Sequence, residues 1–134
     1  MNNLRLLIVD DSELMCTHLA QILTEIGGVE IMGAAFNVPD AYRYIEKNMP
    51  DVAILDICLP GGNGIDILKK IREGGNSTKV IMYTHYPFPQ YEKKCMHFGA
   101  DYFFDKYNEF DKLLGVIKQL ARQFAGNSDP VQSI

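Results

Sequence analysis

Short apolar runs alternate with longer amphipathic stretches along the whole chain. LLIV at residues 6–9, VAIL at Val52–Leu55 and VIMY at 80–83 are uninterrupted and rich in branched side chains, the pattern of strands buried on both faces. The weaker runs VEIMGAA at Val29–Ala35 and YFF at 102–104 predict edge strands. Between them the apolar positions recur with helical spacing. Met15, Leu19, Ile22, Leu23 and Ile26 make one stripe, closed by Gly27 and Gly28, and Val38, Ala41, Tyr42 and Ile45 make a second. Leu68 and Ile71 mark a third helix, and a fourth over about 90–98 opens at Pro89. Phe110, Leu113, Leu114, Ile117, Ala121 and Phe124 mark a fifth. Strict alternation of strand and helix predicts an α/β fold with a parallel sheet, right-handed crossovers and helices on both faces. The polar stretch GNSDPVQSI, 126–134, reads as a frayed terminus or linker remnant after a single domain over 1–125.

Composition narrows the function classes. The chain has 134 residues, 47% of them hydrophobic, enough for one core, and no apolar run near the roughly 18 residues of a membrane span. The apolar segment between Arg5 and Asp10 is too short for a signal peptide. Cys16, Cys58 and Cys95 are far apart, without the paired spacing of a zinc or redox site, and read as reduced thiols of a cytoplasmic protein. Net charge is −4 and basic residues gather only in short pairs such as Lys69-Lys70 and Lys93-Lys94. A direct nucleic-acid surface is therefore not expected.

In an open parallel sheet, ligands bind at the carboxyl ends of the strands. There the first predicted strand ends in Asp10 and Asp11, the third in Asp56, the fourth in Thr84, and the fifth is followed by Lys106. Three carboxylates gathered at one edge repel one another unless a hard cation joins them, and Mg²⁺ suits a few carboxylates plus waters and a phosphate. Taken singly, each residue has a plainer reading. Asp11 or Ser12 could cap the first helix, Asp56 could belong to the turn LPGGNG, Thr84 could be an ordinary strand residue and Lys106 a solvated one. Their conjunction is what those readings explain poorly.

With these residues in hand, the sequence resembles the receiver domain of bacterial response regulators, over residue 4 to about 124. IVDDS matches the acidic pair, LDICLPGGNG the phospho-acceptor loop, VIMYT the strand ending in the switch threonine, and GADYFFDK the segment with the switch aromatic and lysine. The resemblance implies a flavodoxin-like (βα)5 fold with strand order 2-1-3-4-5. It further implies that Asp56 accepts a phosphoryl group from a sensor histidine kinase or phosphotransfer protein. Asp11, Asp56 and the backbone carbonyl of Cys58 would hold Mg²⁺, with Asp10 acting through water. Lys106 and Thr84 would bind the phosphoryl oxygens and Phe103 would be the switch aromatic. Output to a downstream protein target, or a homodimer seam, would use the face of the fourth helix, fifth strand and fifth helix, where Tyr91, Lys94 and Tyr102 are expected to be exposed.

Two positions depart from the family pattern. His85 stands where a small residue usually follows the threonine and is expected to narrow access to the phosphoryl group, and Tyr107 stands where proline commonly follows the lysine. Among rival readings, a flavin- or nucleotide-binding protein would want a glycine-rich turn after the first strand, which DDSEL lacks. An aspartate-based phosphatase would place its nucleophile on the first strand and add a cap domain. The closest rival is the receiver half of a longer DNA-binding regulator, although no helix-turn-helix follows within these residues.

Overall fold

The computed structural model describes residues 3–127. In chain order the elements are β1 (Leu4–Val9), α1 (Glu13–Thr24), β2 (Val29–Ala35), α2 (Val38–Asn48), β3 (Val52–Leu55), β4 (Cys58–Leu59), β5 (Gly62–Asn63), α3 (Gly64–Glu73), β6 (Lys79–Thr84), α4 (Pro89–His97), β7 (Tyr102–Asp105) and α5 (Phe110–Asn127). Five strands form one parallel sheet in the order β2-β1-β3-β6-β7. Counted within that sheet the order is 2-1-3-4-5, the flavodoxin-like arrangement expected from the sequence. The two-residue strands β4 and β5 form a separate antiparallel hairpin. The sequence reading had treated this segment as a turn. Its strands are too short to show periodicity, and Gly61 and Gly62 supply the positive φ angles, 83° and 147°, that close it.

Strand residues divide between the faces with period two. Leu7, Val9, Ala53, Leu55, Val80 and Met82 face α2, α3 and α4, whereas Leu6, Ile8, Val52, Ile54, Ile81 and Tyr83 face α1 and α5. Both faces are covered by helices, which is why the central strands read as continuous apolar runs rather than alternating ones.

Caps set where the helices begin. Ser12 accepts from Met15 N–H at 3.1 Å, Asn37 from Asp40 N–H at 2.8 Å, and Asn63 with Asp66 forms a reciprocal capping box at the start of α3. The cap of α1 is therefore Ser12, leaving Asp11 out of that role. The α1 stripe is narrower than its sequence suggests. Cys16, Leu19 and Leu23 are its buried residues, Ile22 is 39% exposed, and Ile26 lies past the helix end, half-buried against the core. Position 22 sits about 100° round the helix from Leu23, beyond the strip that the sheet covers.

Of the segment 126–134 expected to be a frayed terminus or linker, Gly126 and Asn127 are helical in α5, and residues 128–134 lie outside the described residues. No helix among the described residues is long and apolar enough to cross a membrane.

Candidate functional site

The carboxyl ends of the four adjacent strands β1, β3, β6 and β7 bring one cluster of polar side chains together. Asp10, one residue past β1, is 5% exposed, and Asp56, one residue past β3, is 7% exposed. Thr84, which ends β6, is fully buried. Lys106 follows β7, its N–H donates to Thr84 O at 2.9 Å, and its side chain is 3% exposed rather than solvated.

Hydrogen bonds lock this cluster. Asp10 Oδ1 accepts from Ser12 N–H at 3.0 Å, and Asp56 Oδ1 accepts from Ile57 N–H at 2.7 Å. The Lys106 ammonium donates to Asp56 Oδ2 at 3.0 Å and also to Asp10 Oδ2. Burial pushes the Asp56 carboxyl above its ordinary range, against the opposing pull of Lys106. Burial disfavours the Lys106 ammonium, but its bond to Asp10 and the charges of Asp56 and Asp10 outweigh that, so its pKa is raised. One ammonium thus balances two buried carboxylates.

Asp11 stands at the rim, exposed, and its carboxylate makes no hydrogen bond among the described residues. One carboxylate oxygen from each of Asp10, Asp11 and Asp56 lies within 4.8 Å of the others. Three hard oxygen donors this close can hold a divalent cation, with Asp11 the one unencumbered by other partners. The Cys58 side chain is exposed beside them, but burial and then the charges of Asp56 and Asp11 push its thiol pKa up. A protonated thiol is a poor ligand, so the donor set favours a hard ion.

The remaining candidates lie around this cluster. The Thr84 hydroxyl accepts from Tyr86 N–H at 3.0 Å and so anchors the loop between β6 and α4. Phe103 pairs with Met82 in the sheet and packs half-buried against the core beneath α2, α3 and α4. His85 is exposed, its ring centroid 4.6 Å from that of Tyr107. The peptide bond between Lys106 and Tyr107 is trans, like every other among the described residues. Tyr91 and Tyr102, expected to be exposed, are half-buried against the two core faces, and Lys94 alone of the three is exposed. The prominent exposed apolar side chains near that face are Tyr86, Phe88 and Met96.

Two contributors escaped the sequence reading. A Cβ placed on Gly64 would lie 1.9 Å from the Asp56 carbonyl oxygen, so α3 can start against the acceptor loop only through a glycine. Tyr107 had been noted for replacing proline, with no signal that its ring meets His85.

The profile of the family described as response regulator receiver domain matches residues 6–118. This chain belongs to that family. The receiver is 32% identical over 97 residues to the response regulator UvrY of Escherichia coli strain K12, a match covering 72% of this chain and 44% of that one. It spans about half the length of the curated relatives it matches. Among solved structures it resembles a LuxR-family DNA-binding response regulator from Staphylococcus aureus at 30% identity and a TM-score of 0.81, covering 87% of this chain and 98% of that one. It also resembles the Borrelia burgdorferi structure described as a CheX–CheY–BeF3–Mg complex, at 29% identity and a TM-score of 0.72, covering 86% and 90% of the respective chains.

Proposed function

We propose that this receiver is a Mg²⁺-dependent phospho-acceptor switch with Asp56 as the acceptor. The observation that carries the reading is the bond from Lys106 to Asp56 at the end of the central strand β3, with Asp10 and Asp11 beside it. An Asp56 oxygen bonds to phosphorus while the P–N bond of a donor phosphohistidine breaks. The imidazole leaves with the electron pair and takes a proton from solvent. A carboxylate needs no base to activate it, so the chain's task is positioning and charge compensation. Lys106 follows the charge from carboxylate to phosphoryl oxygen, and the Thr84 hydroxyl donates to a second oxygen. Asp11, Asp56 and the Cys58 carbonyl would hold the metal, with Asp10 acting through water. Bound Mg²⁺ supplies further neutralisation of the phosphoryl oxygens.

Output runs through α4, β7 and α5 by way of Phe103, toward a downstream protein or a second copy. His85 restricts access to the acyl phosphate. One observation favours a longer context: the similar S. aureus protein is described as DNA-binding, and UvrY is more than twice as long as the matched segment. In that reading the receiver regulates a DNA-binding partner domain, and binding of operator DNA by the whole gene product tests it.

The central test is incubation with Mg²⁺ and acetyl phosphate. Intact mass should rise by one phosphoryl group, and Asp56→Asn should abolish the gain. Full labelling of Asp56→Asn, or no labelling of the parent, overturns the assignment.

A further inference from the structure

The site has a floor of four buried side chains, Asp10, Asp56, Thr84 and Lys106, and a rim of the exposed residues Asp11, Cys58, His85 and Tyr107 just beyond them. The rim is asymmetric. On the β1 and β3 side stand Asp11 and Cys58, small and polar. On the β6 and β7 side stand two rings, His85 and Tyr107, each one residue beyond a floor residue. The backbone bond from Lys106 N–H to Thr84 O sets these strand ends side by side, and the rings meet across the gap at 4.6 Å between centroids, tilted by 37°. Tyr107 is 71% exposed; its N–H donates to Asp105 Oδ1 at 2.8 Å, which fixes its backbone, and the contact with His85 rather than core burial orients its ring.

We infer that His85 and Tyr107 form a two-ring gate over the Lys106 side of the site, with Tyr107 as the second access-determining residue for the phosphoryl group. The inference rests on Asp56 being the acceptor. The gate leaves the Asp11 and Cys58 side as the open approach for metal and donor, and shields the acyl phosphate from water arriving over Lys106. In the step it slows, a water oxygen bonds to phosphorus and the bond from phosphorus to the Asp56 oxygen breaks. The carboxylate is restored, and the water's proton leaves with inorganic phosphate. Neither ring takes part in that chemistry. A ring removed from either side opens the same gap, so the two residues act as one unit.

The test follows loss of the phosphoryl mass from acetyl phosphate-labelled protein in the parent and in His85→Ala, Tyr107→Ala, the double variant and Tyr107→Phe. Each single alanine variant should lose the group roughly two- to tenfold faster, the range that one ring–ring contact of ordinary strength controls. The double variant should decay no faster than the quicker single one, and Tyr107→Phe, which keeps the ring, should decay as the parent does. A parental rate in Tyr107→Ala, or effects that multiply in the double variant, overturns the gate. Failure of the parent to gain the group, or gain by Asp56→Asn, would instead overturn the acceptor assignment.

Discussion

Lys106 donates from Nζ to Asp56 Oδ2 at 3.0 Å, across 50 residues of sequence. The same ammonium meets Asp10, 96 residues away, and all three side chains are nearly closed to solvent. Lys106→Met keeps the apolar stem but leaves two buried carboxylates facing each other. In chelated buffer it should lose about 3–5 kcal/mol of unfolding free energy by urea titration, the cost of breaking a buried pair. Adding Asp56→Asn should recover part of that loss. An unchanged urea midpoint in Lys106→Met would show that the pair contributes nothing.

The same geometry sets a pH dependence. Because the folded-state pKa of Asp56 lies above its ordinary 3.8, the folded form holds this proton more tightly than the unfolded chain does. The associated stability is complete below that value and is lost as pH rises through the folded one. Asp56→Asn should therefore be more stable than the parent at neutral pH in chelated buffer, with the gap closing as pH falls toward 3.8. The raised Lys106 pKa acts only in the alkaline range, where stability is lost above its ordinary 10.5. A parent as stable as the variant at pH 7 refutes the sign.

Asp11 is exposed and Ser12 does the capping, so Asp11→Ala should leave the metal-free midpoint within about 0.5 kcal/mol of the parent. Mg²⁺ affinity should fall by at least roughly tenfold, since even outer-shell partners contribute that much. Titration calorimetry showing parental affinity would remove Asp11 from the metal site.

Gly64→Ala would put a methyl group 1.9 Å from the Asp56 carbonyl oxygen. Backbone must move, at a cost of about 1–3 kcal/mol for overpacking. Displacing the acceptor by about 1 Å can slow phosphorylation by roughly a hundredfold. The initial rate with acetyl phosphate, measured on protein shown to be folded by circular dichroism, checks this.

Thr84→Ala removes the acceptor of the Tyr86 N–H and should cost about 0.5–1.5 kcal/mol. It should still be labelled on Asp56, yet lose most of the phosphorylation-dependent change in amide exchange across residues 85–107. If exchange there responds as in the parent, the relay runs through Lys106 instead.

What the sequence determined by itself is whatever depends on near neighbours along the chain. A strand buried on both faces must be apolar throughout, so β1, β3 and β6 were legible, and a polar residue ending such a run marks the strand's carboxyl end, which is why Asp10, Asp11, Asp56 and Thr84 could be named in advance. Caps are equally local, and Asn63 or Pro89 announces its helix within a turn. Tertiary structure decided what depends on strand register. Whether Lys106 is solvated or buried between two acids follows from β7 lying beside β6, and so does the meeting of His85 with Tyr107. The approach of Gly64 to Asp56 likewise follows from how the β4–β5 hairpin returns the chain to the end of β3. The exposures of Ile22, Tyr91 and Tyr102 were settled the same way, because a helical or strand pattern says which side chains share a face but not how far the neighbouring element extends to cover it.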